Sequence, residues 1–167
     1  LSNSDLDGGG SVVTYRLHKA LLDLNLKSTM YVNDKKSKDS TVLSKNNSLD
    51  KIKNIFKNSL VFQLRKVLKI NHAGTLSINY FNSNVPKKID NIETDIIHLH
   101  SVNKEMLSIN QIAKLNKPTI WTFMDMWPFC GAEHYTESDE YINGYKNTKK
   151  FNYPKFYKNS SGFYITK

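Results

Sequence analysis

Between Met124 and Tyr135 the chain sets Asp125, Trp127, Phe129, Cys130, Glu133 and His134 within a dozen positions, a mixture that a packed core does not need. Two acids and an imidazole so close together can bind hydroxyl groups or move protons. Asp125 could hold a substrate hydroxyl, orient a histidine, or simply cap its own loop. Glu133 and His134 are adjacent, so they read either as an acid/base and hydroxyl-binding pair or as surface residues. Trp127 and Phe129 offer flat apolar faces, suited to a sugar ring or to plugging the loop. Cys130 would need a neighbouring base to act as a nucleophile, and the sequence assigns it none.

Two further stretches carry chemistry. His98 and His100 lie two apart in the apolar run Asp95-Ile96-Ile97-His98-Leu99-His100, so on a strand they share a face. That spacing is compatible with a metal only if the 125–134 loop supplies more ligands. The competing roles are a packed histidine at 98 and a crevice-facing one at 100. Upstream, Gly8-Gly9-Gly10 precede a helix, where free amides and the helix dipole favour an anion by about 0.3–1 kcal/mol. A flexible turn capped by Ser11 is the equal alternative. The spacing matches neither the dinucleotide-binding glycine pattern nor a P-loop, and no metal site is expected.

These residues need elements to position them. A helix after the glycines should bury Val13, Leu17, Ala20, Leu21 and Leu24. Ser28 to Val32 reads as a second strand, 33–47 as a polar loop, and 49–68 as an amphipathic helix whose lysines form a solvated face over a packed apolar stripe. Leu76 to Phe81 is a third strand candidate, followed by a turn over 82–86. Asp95 to His100, a helix over Ser108 to Leu115, and a buried strand over Thr119 to Phe123 make a βαβ unit. Its strands should be parallel, with His100 and Asp125 at one edge of the sheet, and ligands of open α/β sheets sit beyond that edge.

The bulk numbers bound the rest. A chain of 167 residues with 39% hydrophobic content can bury one ordinary core. No apolar run approaches the roughly 18 residues of a membrane span, and one cysteine suggests a reducing, cytoplasmic setting. The formal charge of +9 points to anionic partners, yet only Arg16 and Arg65 among 24 basic residues are arginines, which argues against base-reading of nucleic acid. The lysines are a solvated surface or an attraction to anionic membrane. Residues 136–167 are a polar, then aromatic and lysine-rich extension.

Four blocks, in order, carry a resemblance: Ser4-Asp5-Leu6-Asp7-Gly8-Gly9-Gly10 with Tyr15 to Leu21; Asp95 to His100; Lys117-Pro118 with Trp121-Thr122; and Asp125-Met126-Trp127-Pro128-Phe129 with Gly131 and His134-Tyr135. Across residues 4–135 the chain resembles the N-terminal domain of GT-B glycosyltransferases of the family 4 type, in particular bacterial enzymes that build exopolysaccharide, capsule or lipopolysaccharide O-antigen. The resemblance implies a Rossmann-like parallel sheet flanked by helices over 1–135, its first strand cut short, as one half of a two-domain architecture. The nucleotide-sugar half would lie outside this chain, so residues 1–167 alone should not turn over.

It implies a retaining transfer from a nucleotide-sugar co-substrate, with no further cofactor, to a lipid-linked or polysaccharide acceptor at the cytoplasmic membrane face. Asp125, His134 and His100 would orient the acceptor or handle its proton. Gly8, Gly9 and Gly10, Trp127 and Glu133 would line the substrate site. Met124 stands where many relatives have histidine, and Ala132-Glu133 where others have Gly-Cys. The rival classes are a Rossmann-type oxidoreductase using Asp34 as a ribose-binding acid, and a non-catalytic lysine-rich binding module.

Overall fold

The computed structural model describes residues 1–44, 52, 55–57, 59–60, 62–63, 76–79, 81–130, 133–137 and 142. Its elements run β1 (Ser2–Ser4), α1 (Gly9–Asp23), β2 (Met30–Asp34), β3 (Val42–Leu43), α2 (Val85–Asp90), β4 (Ile97–Leu99), α3 (Ile109–Ala113) and β5 (Thr119–Trp121). Strands β1, β2 and β3 pair in parallel in that order, and β4 pairs in parallel with β5. The fold is mixed α/β, with small parallel sheets flanked by helices, and it is compatible with a Rossmann-like fold.

Backbone hydrogen bonds bring the two sheets side by side. The Leu1 amino group donates to the His98 carbonyl. The His100 amide donates to the Leu1 carbonyl at 3.0 Å, and the Asn3 amide to the Ser101 carbonyl at 2.7 Å. The strands therefore lie in the order β3-β2-β1-β4-β5. The chain winds outward in both directions from β1 and β4, the arrangement in which open α/β sheets hold ligands beyond the carboxyl ends of the strands.

The core is asymmetric. On one face Tyr31, Ile97 and Leu99 pack with Val85 and Ile89 of α2 and with Val102, Met106, Leu107 and Trp127. On the other, Met30, Val32 and Val42 pack with Tyr15 of α1. Helix α1 seats through Ser11, Thr14 and His18, not through its apolar stripe. Val13, Leu17 and Leu24 are exposed by 52%, 36% and 71%, which corrects the expected buried face. A polar seam decides the seating: His18 bridges the Ser28 and Thr41 hydroxyls at 2.8 Å each, and two such bonds are lost if the helix rolls.

Other expectations shift for local reasons. The polar stretch after β2 hides β3, whose short ladder is held by the Met30 amide on Thr41 and by Lys35 on the Asp39 and Val42 carbonyls. Residues 76–79 make one antiparallel bridge, Leu76 to Glu133, and no regular strand; Asn79 sits at φ 47, outside extended backbone. Pro86 opens α2 instead of a turn, because its fixed φ suits the first turn of a helix. Serine caps α3 through a capping box formed by Ser108 and Gln111.

Among the described residues strand β5 pairs only with β4, and Ile120 is 52% exposed, so the expectation of a buried strand there is corrected. Within the helix expected over 49–68, residues 52, 55–57, 59–60 and 62–63 are helical and the remainder lies outside the described residues. Ile52, Ile55, Phe56 and Phe62 face solvent, where a packed stripe was expected. Most of the 136–167 extension likewise lies outside the described residues. Among the described residues no helix is long and apolar enough to cross a membrane.

Candidate functional site

Three segments meet beyond the carboxyl ends of the strands. The glycine loop follows β1, Ser101 follows β4, and Met124 and Asp125 follow β5. Gly10 is closed between the other two: a Cβ there would lie 3.0 Å from Ser101 Oγ and 3.5 Å from Met124 Cβ. Gly8 is needed for a different reason, its φ of 84, which side chains rarely adopt. Gly9 has open space around it. Gly8 is also the residue preceding the helix, so Ser11 lies buried within the first turn and is not the cap. The first-turn amides have no partner inside the helix and are available to an anion.

Asp5 holds the loop in place from below. It is fully buried and accepts the Lys36 amide at 2.7 Å and the Ser37 amide at 2.8 Å. Burial alone would raise its pKa, but the hydrogen bonds from the Ser37 side chain and these two amides outweigh it and leave the carboxyl below the ordinary range. Asp34, at the end of β2, instead pairs with Lys36 at 2.9 Å on the surface.

His98 of β4 and His100, just after it, exchange their expected places. His98 is half-buried and bonded to Thr122 Oγ1 at 2.7 Å, whereas His100 is buried with its Nδ1 unpartnered. Their rings lie 4.1 Å apart. Burial, with smaller contributions from the Leu1 amino group and the His98 ring, pushes His100 down to about 3, so it is neutral at ordinary pH. Among the described residues no three His, Cys, Asp or Glu side chains are grouped so as to hold a metal ion.

The loop after β5 folds back on itself. Asp125 Oδ1 accepts the Trp127 amide at 2.9 Å, an Asx-type cap, and Oδ2 lies 2.6 Å from His134 Nδ1. The Met126 amide donates to the His134 carbonyl at 3.0 Å, which closes the loop. On its other side, His134 Nε2 lies 2.9 Å from the Ser77 hydroxyl. Trp127 is not a wall of the crevice: it is 2% exposed, packs in the main core, and donates its indole N–H to the Ser77 carbonyl at 2.7 Å. The plug alternative holds for this residue. Phe129 is half-buried beside Phe123, at 6.0 Å between ring centres. Glu133 and Cys130 are buried.

Asp125 and His134 are thus brought together, and Met124, the residue before Asp125, touches the glycine segment, while His100 and Glu133 are buried. Three residues that the sequence did not single out complete the arrangement: Ser77, Ser101 and Asp5. Only Asp5 had a readable signal, as an acid immediately before a glycine loop. A carboxylate hydrogen-bonded to an imidazole at a crevice rim can bind a hydroxyl and take its proton. No protein-family model, curated protein or solved structure matches the chain.

Proposed function

We propose that this chain is the acceptor-side domain of a GT-B glycosyltransferase, transferring sugar from a nucleotide-sugar to a lipid-linked or polysaccharide acceptor in bacterial surface-polysaccharide assembly. The observation that supports this reading is the closure of Gly10 against Ser101 and Met124, one residue in sequence before the Asp125–His134 pair. An acceptor hydroxyl bound at Asp125 would lie beside a glycine loop suited to the phosphates of the departing nucleoside diphosphate. Catalysis of this kind is mainly positioning and charge stabilisation. The second domain would supply most of the grip on the nucleotide, so residues 1–167 alone should show no transfer.

The exposed apolar side chains at Ile52, Ile55, Phe56 and Phe62, on a chain of net charge +9, support contact with an anionic membrane face where a lipid-linked acceptor would be met. The site works on the cytoplasmic side in this reading. The test is transfer of labelled sugar by the full-length protein from a panel of nucleotide-sugars, with residues 1–167 as the inactive control.

One observation favours a second reading, a Rossmann-type oxidoreductase. Asp34 ends β2 in register with Ser4 of β1, where a ribose-binding acid would stand. Its carboxylate is engaged by Lys36, and the glycine spacing is wrong. Saturable NAD binding, lost in Asp34→Ala, would favour this reading over sugar transfer.

A further inference from the structure

We propose that the Asp125–His134–Ser77 chain works from its aspartate end: Asp125 meets the substrate hydroxyl, and His134 and Ser77 are positioning residues behind it. The contacts, Oδ2 to Nδ1 at 2.6 Å and Nε2 to Oγ at 2.9 Å, follow the atom order of a nucleophilic Ser-His-Asp triad. Such a triad needs its serine at the open end and its carboxylate enclosed. Here burial runs the other way. Asp125 is half-buried, whereas His134 is 7% exposed. Ser77 is 5% exposed, and its carbonyl is covered by the Trp127 indole. Asp125 directly follows Met124, whose side chain closes against Gly10, so in sequence the acid is the member of the three nearest that contact.

The hydrogen bonds define what each group does. With the ring neutral, the proton on Nδ1 points at the carboxylate, and Nε2 is left to accept the Ser77 hydroxyl. Ser77 thereby holds the tautomer that His134 needs in order to donate to Asp125. The Trp127 amide takes the other carboxylate oxygen. Asp125 is fixed by two donors, and each of its oxygens keeps a lone pair for a ligand. The ligand class that fits is a neutral alcohol, such as a sugar ring hydroxyl.

That the alcohol is a glycosyl acceptor rests on the sugar-transfer reading; the direction of the chain does not. In that transfer the acceptor O–H bond breaks, and its proton goes to Asp125. A new C–O bond forms at the donor sugar as the sugar–phosphate bond breaks, and the nucleoside diphosphate leaves with the electron pair. His134 steadies the carboxylate before and after the proton arrives.

The first arm of the test needs no sugar. The full-length protein is treated with a water-soluble carbodiimide plus an amine, and separately with a fluorophosphonate, and the modified residues are mapped by mass spectrometry. Asp125 should be amidated and Ser77 should stay unlabelled. Fluorophosphonate on Ser77, or an unmodified Asp125, overturns the proposal. In the second arm, sugar transfer is measured in variants. Asp125→Asn should lose at least about 100-fold in kcat. Ser77→Ala should lose only several-fold in kcat with KM little changed, because the hydrogen bond that orients the imidazole is gone, and Ser77→Thr should restore kcat. A Ser77→Ala loss equal to that of Asp125→Asn overturns the assignment. Absence of transfer by the wild type counts against the sugar reading, and the labelling arm then decides the direction of the chain.

Discussion

Replacing Asp5 by alanine should destabilise the chain far more than its position in a loop suggests. Its two carboxylate oxygens accept the Lys36 and Ser37 amides at 2.7 and 2.8 Å, and the side chain has no exposed surface. Hydrogen bonds to a charged group are worth about 1.5–3 kcal/mol each, and part of that returns when the freed amides, near the surface, bind water. The net loss is about 2–4 kcal/mol, equivalent to a fall in Tm of roughly 5–15 °C for a domain of this size. The pH dependence fixes the cause. Because the folded pKa lies below the ordinary value of 3.8, the stabilisation is present above that value and is lost as pH falls through the folded pKa. Urea unfolding followed by tryptophan fluorescence should therefore show a large gap between wild type and Asp5→Ala at neutral pH that narrows in acid. A gap under about 0.5 kcal/mol at neutral pH, the scale of an ordinary surface change, would refute the reasoning.

Three other outcomes can be checked on the same chain. Gly8→Ala should cost about 1–2 kcal/mol because of its φ of 84, whereas Gly9→Ala, with open space around it, should change stability by under about 1 kcal/mol in either direction; chemical denaturation separates the two. His100 has its folded pKa lowered to about 3, so its contribution is fully present above the unfolded value of 6.5 and drains away as pH falls toward 3. His100→Gln should flatten the pH dependence of unfolding in that window, and an unchanged profile would count against burial of a neutral ring. Asn79→Leu should cost about 2–4 kcal/mol in urea unfolding. The Asn79 side-chain amide donates to the Val102 and Leu107 carbonyls at 2.7 Å each, and its oxygen accepts the Glu105 amide at 3.2 Å, all in the buried interior.

What could be read in the sequence was what periodicity and punctuation carry. The strand ending in His-Leu-His, the helix capped by Ser108 and the strand after Pro118 are present and parallel, because short apolar runs bounded by a proline or a cap leave few alternatives. The glycine run was legible as the start of a helix, but only Gly8 precedes it, and Gly9 and Gly10 lie in its first turn. What failed were judgements about which face is covered. The stripe of Val13, Leu17 and Leu24 has good helical spacing, yet His18 seats the helix through hydrogen bonds whose partners, Ser28 and Thr41, a one-dimensional pattern cannot supply.

The site was half legible. Asp125 and His134 stand out by type, and their proximity follows from a loop that closes on itself through the Met126 amide. Trp127 was ambiguous between wall and plug, and its indole bond to the Ser77 carbonyl settles it as core. Ser77 was invisible, being one serine in an apolar run 57 residues away in sequence from its histidine.

The central claim, that Asp125 on the glycine-loop rim receives a sugar acceptor, is tested most directly by one comparison. The full-length protein is given labelled nucleotide-sugars and a lipid-linked acceptor, and transfer is measured for wild type and Asp125→Asn. The account predicts transfer by the wild type and a loss of at least about 100-fold in the variant, with the fold retained. Equal transfer by both proteins, or transfer by neither, would contradict it.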